Sequence, residues 1–223
     1  MAIREAELLR DITPTEAVLL FGDRVVEALP APGILWEEVP MSGKGVDGLE
    51  LVDAAMETLV AALIEAGAVP RIEETRKFIF FTTIRLHLHI PDAMRSWPTG
   101  SPEARVVAWI VRQPGQSAPV EDALIALFMP TRHHNVWRMA YQALHDGLVE
   151  RGYIERRTIT VLKVVQKQQF GLHPEYRAPL TGAASAFERD HLHVRTRLRP
   201  ETRVAAFRSW RAAFSEQNIT TGD

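Results

Sequence analysis

The sequence predicts a mainly α-helical fold, a single helical domain carrying two β-hairpins, with a core over about residues 12–215. Three observations predict it. Apolar residues recur at spacings of three and four along most apolar segments, the period changes to two in only two stretches, and proline or glycine marks most of the changes. With 223 residues, 46% of them apolar, the chain is long enough to bury a sizeable core.

The first helix signal is Thr13-Pro14-Thr15-Glu16, an N-cap followed by proline in the first turn and an acid at the third position; Ala17 to Phe21 continue it and Gly22 stops it. Residues 30–48 read as a loop rich in proline and glycine that nevertheless contains Ile34-Leu35-Trp36. An aromatic there either tucks onto the core or is displayed to a ligand. A helix over about 49–66 repeats Val52, Ala55, Met56, Leu59, Leu63 and Ile64, and Gly67 and Pro70 close it. Residues 76–90 alternate through Phe78, Phe80, Ile84, Leu86, Leu88 and Ile90 around Thr82-Thr83, which predicts a hairpin with one buried face. Ser101-Pro102-Glu103 opens the next helix, with Val106, Val107, Trp109 and Ile110, and Gln113-Pro114-Gly115 ends it. Further helices are expected over about 118–128 and 132–151. A second hairpin is expected over 153–172, and a basic tail helix over about 201–214 with Val204, Phe207 and Trp210 at three-residue spacings.

Composition excludes several classes of chemistry. Without cysteine there is no disulfide scaffold, thiolate zinc site, iron–sulfur cluster or cysteine nucleophile. Ser42-Gly43-Lys44-Gly45 lacks the upstream glycine and the following Ser/Thr of a phosphate-binding loop, and neither a dinucleotide fingerprint nor a nucleophile elbow occurs. His87-x-His89, His133-His134 and His191-x-His193 follow no metal-ligand spacing, and Arg85 shares the face of the first pair, so no metal and no cofactor is expected. The paired acids Glu37-Glu38 and Glu73-Glu74 read as solvated charges, and the expectation is a non-enzymatic protein. No apolar run is long enough to span a bilayer and the first residues do not read as a signal peptide, which predicts a cytoplasmic protein touching membranes only peripherally.

The net charge of −2 conceals a split: residues 1–150 carry 13 Lys+Arg against 21 Asp+Glu, whereas residues 151–211 carry 13 against 5. Either the basic part meets an anionic partner, phospholipid or nucleic acid, or the two parts neutralise each other across the fold. In the 132–151 helix, Val136, Ala140, Ala143 and Gly147 form a small-residue face for close packing. His134, Arg138, Tyr141 and His145 form a second stripe, on which several donors and the Arg138 fork suit a phosphate. Read with the following hairpin, the segment fits a winged-helix DNA-binding regulator over 118–173, although the stripe facing DNA would carry one arginine and phosphate contacts usually need several cations.

Several segments, taken in order, resemble the Golgi phosphoprotein three family over about residues 12–175. They are Thr13-Pro-Thr-Glu-Ala-Val-Leu-Leu-Phe-Gly22, the loop Trp36, Leu59-Val-Ala-Ala-Leu-Ile-Glu-Ala-Gly67, the turn Pro98-Thr-Gly100, and Asn135-Val136 through Leu148-Val-Glu-Arg-Gly152. The resemblance implies a helical protein that binds phosphatidylinositol 4-phosphate at membranes through a loop tryptophan, an arginine of the second helix and two arginines of the later helix. Trp36 and Arg138 match that pattern. Tyr141 stands at the second later arginine and the second-helix arginine falls near Met56, so half the cationic site is missing, with His134 or Lys44 as candidates to compensate. The resemblance also implies self-association through the 153–172 hairpin, where Val161-Leu-Lys-Val-Val165 and Phe170 serve an interface, the bilayer or core packing. Arg156, Arg157, Lys163 and Lys167 flank that stretch, and near an anionic leaflet a basic residue is worth about 1 kcal/mol.

Overall fold

A computed structural model gives the structure over residues 5–29, 36–77, 81–94, 96–161 and 165–218. Over these residues the protein is mainly helical, with eight α-helices and three small antiparallel sheets. The core forms around α3 (Gly48–Glu65), about 27 Å long at 1.5 Å per residue. Leu51, Val52, Ala54, Ala55, Met56 and Leu59 are buried on successive sides of it, so this helix is apolar nearly all round and lies inside the molecule. Its start is fixed by Asp47, whose carboxylate accepts from the Leu49 and Glu50 amides at 2.8 and 3.1 Å.

Two short helices, α1 (Glu5–Asp11) and α2 (Pro14–Leu20), precede it. The capping box predicted at Thr13 and Glu16 is formed in both directions, and α2 packs along α3 with all of its residues buried. Burial extends to polar groups. Glu16 accepts from Thr13 N at 3.0 Å and from Arg151 Nη2 at 2.6 Å, while Glu103 accepts from Thr15 N at 3.0 Å. Desolvation pushes the Glu16 carboxyl up to about 7 against the pull of Arg151, and also raises Glu103, which has no exposed surface.

The 30–48 region, expected as a loop, contains a hairpin of β1 (Trp36–Glu38) and β2 (Gly45–Asp47), with Trp36 opposite Asp47 and Glu38 opposite Gly45. Ile34 and Leu35 lie outside the described residues. The first expected hairpin is β3 (Val69–Lys77) and β4 (Phe81–His89), extended at its edge by β5 (Ser117–Pro119). It does not turn at Thr82-Thr83: Thr83 pairs with Thr75 and Thr82 with Arg76, because β-branched threonines favour strand interiors over turns. The turn and Phe78 and Phe80 fall outside the described residues.

The helices α4 (Pro102–Val111), α5 (Val120–Phe128) and α6 (Val136–Glu150) follow. The last begins four residues later than expected, after Asn135, whose backbone (φ −124°, ψ 55°) is not helical. The small-residue face of α6 packs closely, but not against another helix alone. A Cβ at Gly147 would lie 2.5 Å from the Gly100 carbonyl and 2.9 Å from Glu16 Oε1, so the Pro98-Thr-Gly100 turn and α2 both rest on that glycine. The second hairpin, β6 (Ile154–Val161) with β7 (Val165–Leu172), pairs from Ile154 opposite Leu172 to Val161 opposite Val165.

A helix not expected from the sequence, α7 (Pro174–Phe187), then runs into a π-helical turn at Glu188–Leu192. The tail helix α8 (Pro200–Gln217) packs on α3, α5 and β4 through Thr202, Ala205, Ala206, Ser209, Trp210 and Ala213. Of the three residues at three-residue spacings, Trp210 is buried while Val204 and Phe207 are 49% and 37% exposed. Small side chains line the contact instead, and Ser209 Oγ accepts from the Leu86 amide at 3.3 Å. No described helix is long and apolar enough to cross a membrane.

The charge split is used inside the fold. Bases of the C-terminal part pair with acids of the N-terminal part: Arg151 with Glu16, Lys167 with Glu37, Arg211 with Asp53, Arg195 and Arg203 with Glu57, and Arg197 with Glu65. Much of the expected basic excess is thereby neutralised.

Candidate headgroup-binding site

Three elements converge beside the N-terminal end of α3. The first is β1, whose Trp36 is half-buried; the Nε1 edge of its indole abuts Gly45, where a Cβ would fall 1.3 Å from Nε1. Only glycine at that position lets the ring sit there. Glu37, the next residue, points to the opposite side of the strand and is 1% exposed.

The second element, β7, supplies Lys167, whose ammonium donates to the Trp36 carbonyl, pairs with Glu37 Oε1 at 3.0 Å and lies 5.5 Å from the Trp36 ring centre. Two residues on, Gln169 donates to Glu38 from the same face of the strand. These bonds dock β7 on β1.

The third element is α6. Arg138 Nη2 stands 4.0 Å from Glu37 Oε1, outside hydrogen-bond reach, and its Nε has no hydrogen-bond partner. The side chain is 25% exposed and its guanidinium lies 5.1 Å over the Trp137 ring. Because Lys167 holds the Glu37 oxygen more closely, Arg138 keeps donor capacity at the surface. Burial raises the Glu37 carboxyl to about 6, with Lys167 and then Arg138 pulling the other way.

The rest of the expected stripe does not face solvent. Tyr141 is 1% exposed and His145 is fully buried. The Tyr141 ring stands 5.6 Å from Phe170, and His145 stacks on Phe170 at 4.1 Å. Tyr141 is thus a core residue under the hairpin, not a headgroup contact, and burial pushes its hydroxyl pKa well up. His145 Nδ1 donates to the Tyr141 carbonyl at 2.7 Å, and desolvation lowers the ring to about 4, so it is neutral at pH 7. Phe170 belongs to this packing, which assigns it to the core. His134 is exposed and precedes α6 in the chain, its ring centre 6.4 Å from that of His133.

Met56 is 1% exposed in α3, so no cation stands there, and Lys44 is engaged with Asp23 at 3.2 Å. Lys167 is the site residue that sequence reasoning placed only as a flanking base. Its one sequence signal is a polar residue on a strand face that packs inward. Elsewhere, His87 pairs with Glu73 at 2.9 Å and His89 Nδ1 lies 3.1 Å from the Gly115 carbonyl; among the described residues no group of three or more acids and histidines is placed to hold a metal ion.

The fold and site together define a helical protein in which a partly exposed arginine stands near a buried acid that is paired with a lysine, and that lysine also lies against the ring of the neighbouring Trp36. Compared with protein-family models, with curated proteins and with solved structures, the chain shows no match.

Proposed function

We propose that this protein is a peripheral membrane protein that binds an anionic phospholipid headgroup bearing a phosphate monoester, of the phosphatidylinositol 4-phosphate type, as the resemblance to the Golgi phosphoprotein three family implies. The observation that carries the reading is Arg138: its side chain is 25% exposed and the nearby acid, Glu37, is already held by Lys167, which leaves the outer guanidinium nitrogens for a ligand. A guanidinium in that state offers a planar fork to a phosphate. Tryptophan suits the headgroup level of a bilayer because its ring is apolar at one end and polar at the other. The function is recognition without bond making, in the cytoplasm, at a membrane surface.

Diffuse attraction is a minor contribution in this reading. Arg156 is paired with Asp146 at 2.7 Å and Arg157 with Glu155, so neither offers a full charge to the leaflet. The same pairing weighs against the winged-helix reading. On α6, Asp146 and Glu150 join Arg138 on the surface that DNA would have to meet. Self-association through the 153–172 hairpin remains part of the proposal, although the side chains of 161–166 lie outside the described residues.

The test is sedimentation with vesicles of phosphatidylcholine alone, with phosphatidylinositol, or with phosphatidylinositol 4-phosphate. Pelleting is expected only with the last, unaffected by duplex DNA, and weakened at least about tenfold by Arg138→Ala, the value of one charge-assisted contact. Pelleting that tracks total negative charge and ignores Arg138→Ala refutes the proposal.

A further inference from the structure

A separate cavity of about 260 Å³ opens at the other end of α3, some 27 Å along that helix from the headgroup site. One wall is apolar, formed by Leu9, Ile12, Ala62 and Val194, with the half-buried Trp97 beside it. The opposite wall comes from the π-helical turn, which brings Asp190 and the nine-tenths-buried His191 to the cavity. Wide turns of this kind are frequent at functional sites. An apolar wall facing charged and polar groups suits a small amphiphilic molecule.

The charges on the rim decide the ligand. Glu65 faces Arg197 at 3.5 Å, and Asp190 is held by both the Nε and Nη2 of Arg189, at 2.9 and 3.2 Å. The Arg189 guanidinium also keeps the Asp190 carboxyl below its usual range. The last carbonyls of α3 are occupied as well: Ala62, Leu63 and Ile64 accept from Ala66, Ala68 and Gly67. Each negative group at the rim therefore has its own partner. Arg10 differs: its Nε donates to the Ala6 carbonyl at 3.2 Å, and it forms no ion pair among the described residues, leaving the Nη groups for an incoming acceptor.

We propose that this cavity binds a small organic anion, its acidic head on Arg10 and its apolar body against Leu9, Ile12 and Trp97. The test uses three probes with one body and different heads, hexanoate, hexylammonium and hexanol, titrated calorimetrically into the full chain. Hexanoate is expected to bind at one site per chain, and the other two to bind at least about tenfold more weakly, as removal of one charge-assisted contact dictates.

Arg10→Gln, at an exposed position, should weaken hexanoate by a similar factor while leaving vesicle pelleting unchanged. Ala66→Leu, at the half-buried rim, should block the probe by filling the cavity without touching its charges. Equal binding of the three probes, hexanoate binding that survives both substitutions, or no hexanoate binding to the folded wild-type chain would overturn the assignment.

Discussion

Replacing Lys167 by methionine keeps the apolar stem and removes the charge that faces Glu37. In the wild-type fold Glu37 titrates at about 6, against an ordinary value of 4.5, so between those values the folded state binds more protons than the unfolded one. Stability therefore falls as pH rises through that window, by about 2 kcal/mol, and is level above it. Without Lys167 the carboxyl is pushed higher still, with only Arg138, 4.0 Å away, to oppose burial. The fall then continues beyond pH 6 at about 1.4 kcal/mol per pH unit, until the shifted carboxyl ionises.

Below pH 6 the variant loses chiefly the hydrogen bond to the Trp36 carbonyl, about 1 kcal/mol. The gap to wild type should accordingly grow to about 2.5 kcal/mol at pH 7 and approach 4 at pH 8, within the range for stranding a buried charge. Urea unfolding followed by tryptophan fluorescence at pH 5, 6, 7 and 8 measures it, with common slopes confirming two-state behaviour. The double variant Glu37→Gln/Lys167→Met should show no added pH dependence from this pair. A gap that is constant, or that narrows as pH rises, refutes the account of the bridge.

Three further outcomes follow from the same geometry. Glu16→Gln should gain about 3 kcal/mol relative to wild type between pH 4.5 and pH 7.5, because over that range the unfolded carboxyl ionises while the native one, raised to about 7, is held protonated; parallel pH–stability profiles of the two proteins would contradict this. Gly45→Ala should drive the indole off the β2 strand and weaken vesicle pelleting as much as Trp36→Ala does, with a wild-type result counting against Trp36 as a headgroup contact. Tyr141→Phe should leave pelleting within about twofold of wild type, since a phenol buried under Phe170 makes no headgroup contact; a loss as large as that of Arg138→Ala would put Tyr141 back in the site.

Legibility in the sequence depended on the range of the interaction. The Thr13–Glu16 capping box is local, with donors and acceptors three residues apart, and it reads directly from the sequence. The helix α3 is legible for a similar reason, since Gly67 adopts φ 115° just beyond it and stops it where expected. The three-residue strands β1 and β2 are too short to display a period, so Trp36 was legible as chemistry and not as structure. Pro179 and a run of small residues hide α7, whose apolar stripe is interrupted. The burial of Tyr141 follows from a hairpin folding back over α6, and the role of Lys167 from a contact 131 residues away in sequence. Neither has a local signal. The split of charge along the chain was visible, but its use in pairing the acidic part with the basic part appears only once Arg151, Arg195, Arg203 and Arg211 are placed.

The central claim is that Arg138 reads a phosphate monoester. The most direct measurement is a calorimetric titration of the water-soluble headgroup, glycerophosphoinositol 4-phosphate, into wild type and Arg138→Ala, with glycerophosphoinositol lacking the monoester as the control. One site per chain is predicted, weakened at least about tenfold by the substitution and silent with the control. Equal binding of the two headgroups, or an affinity that Arg138→Ala leaves unchanged, would contradict it.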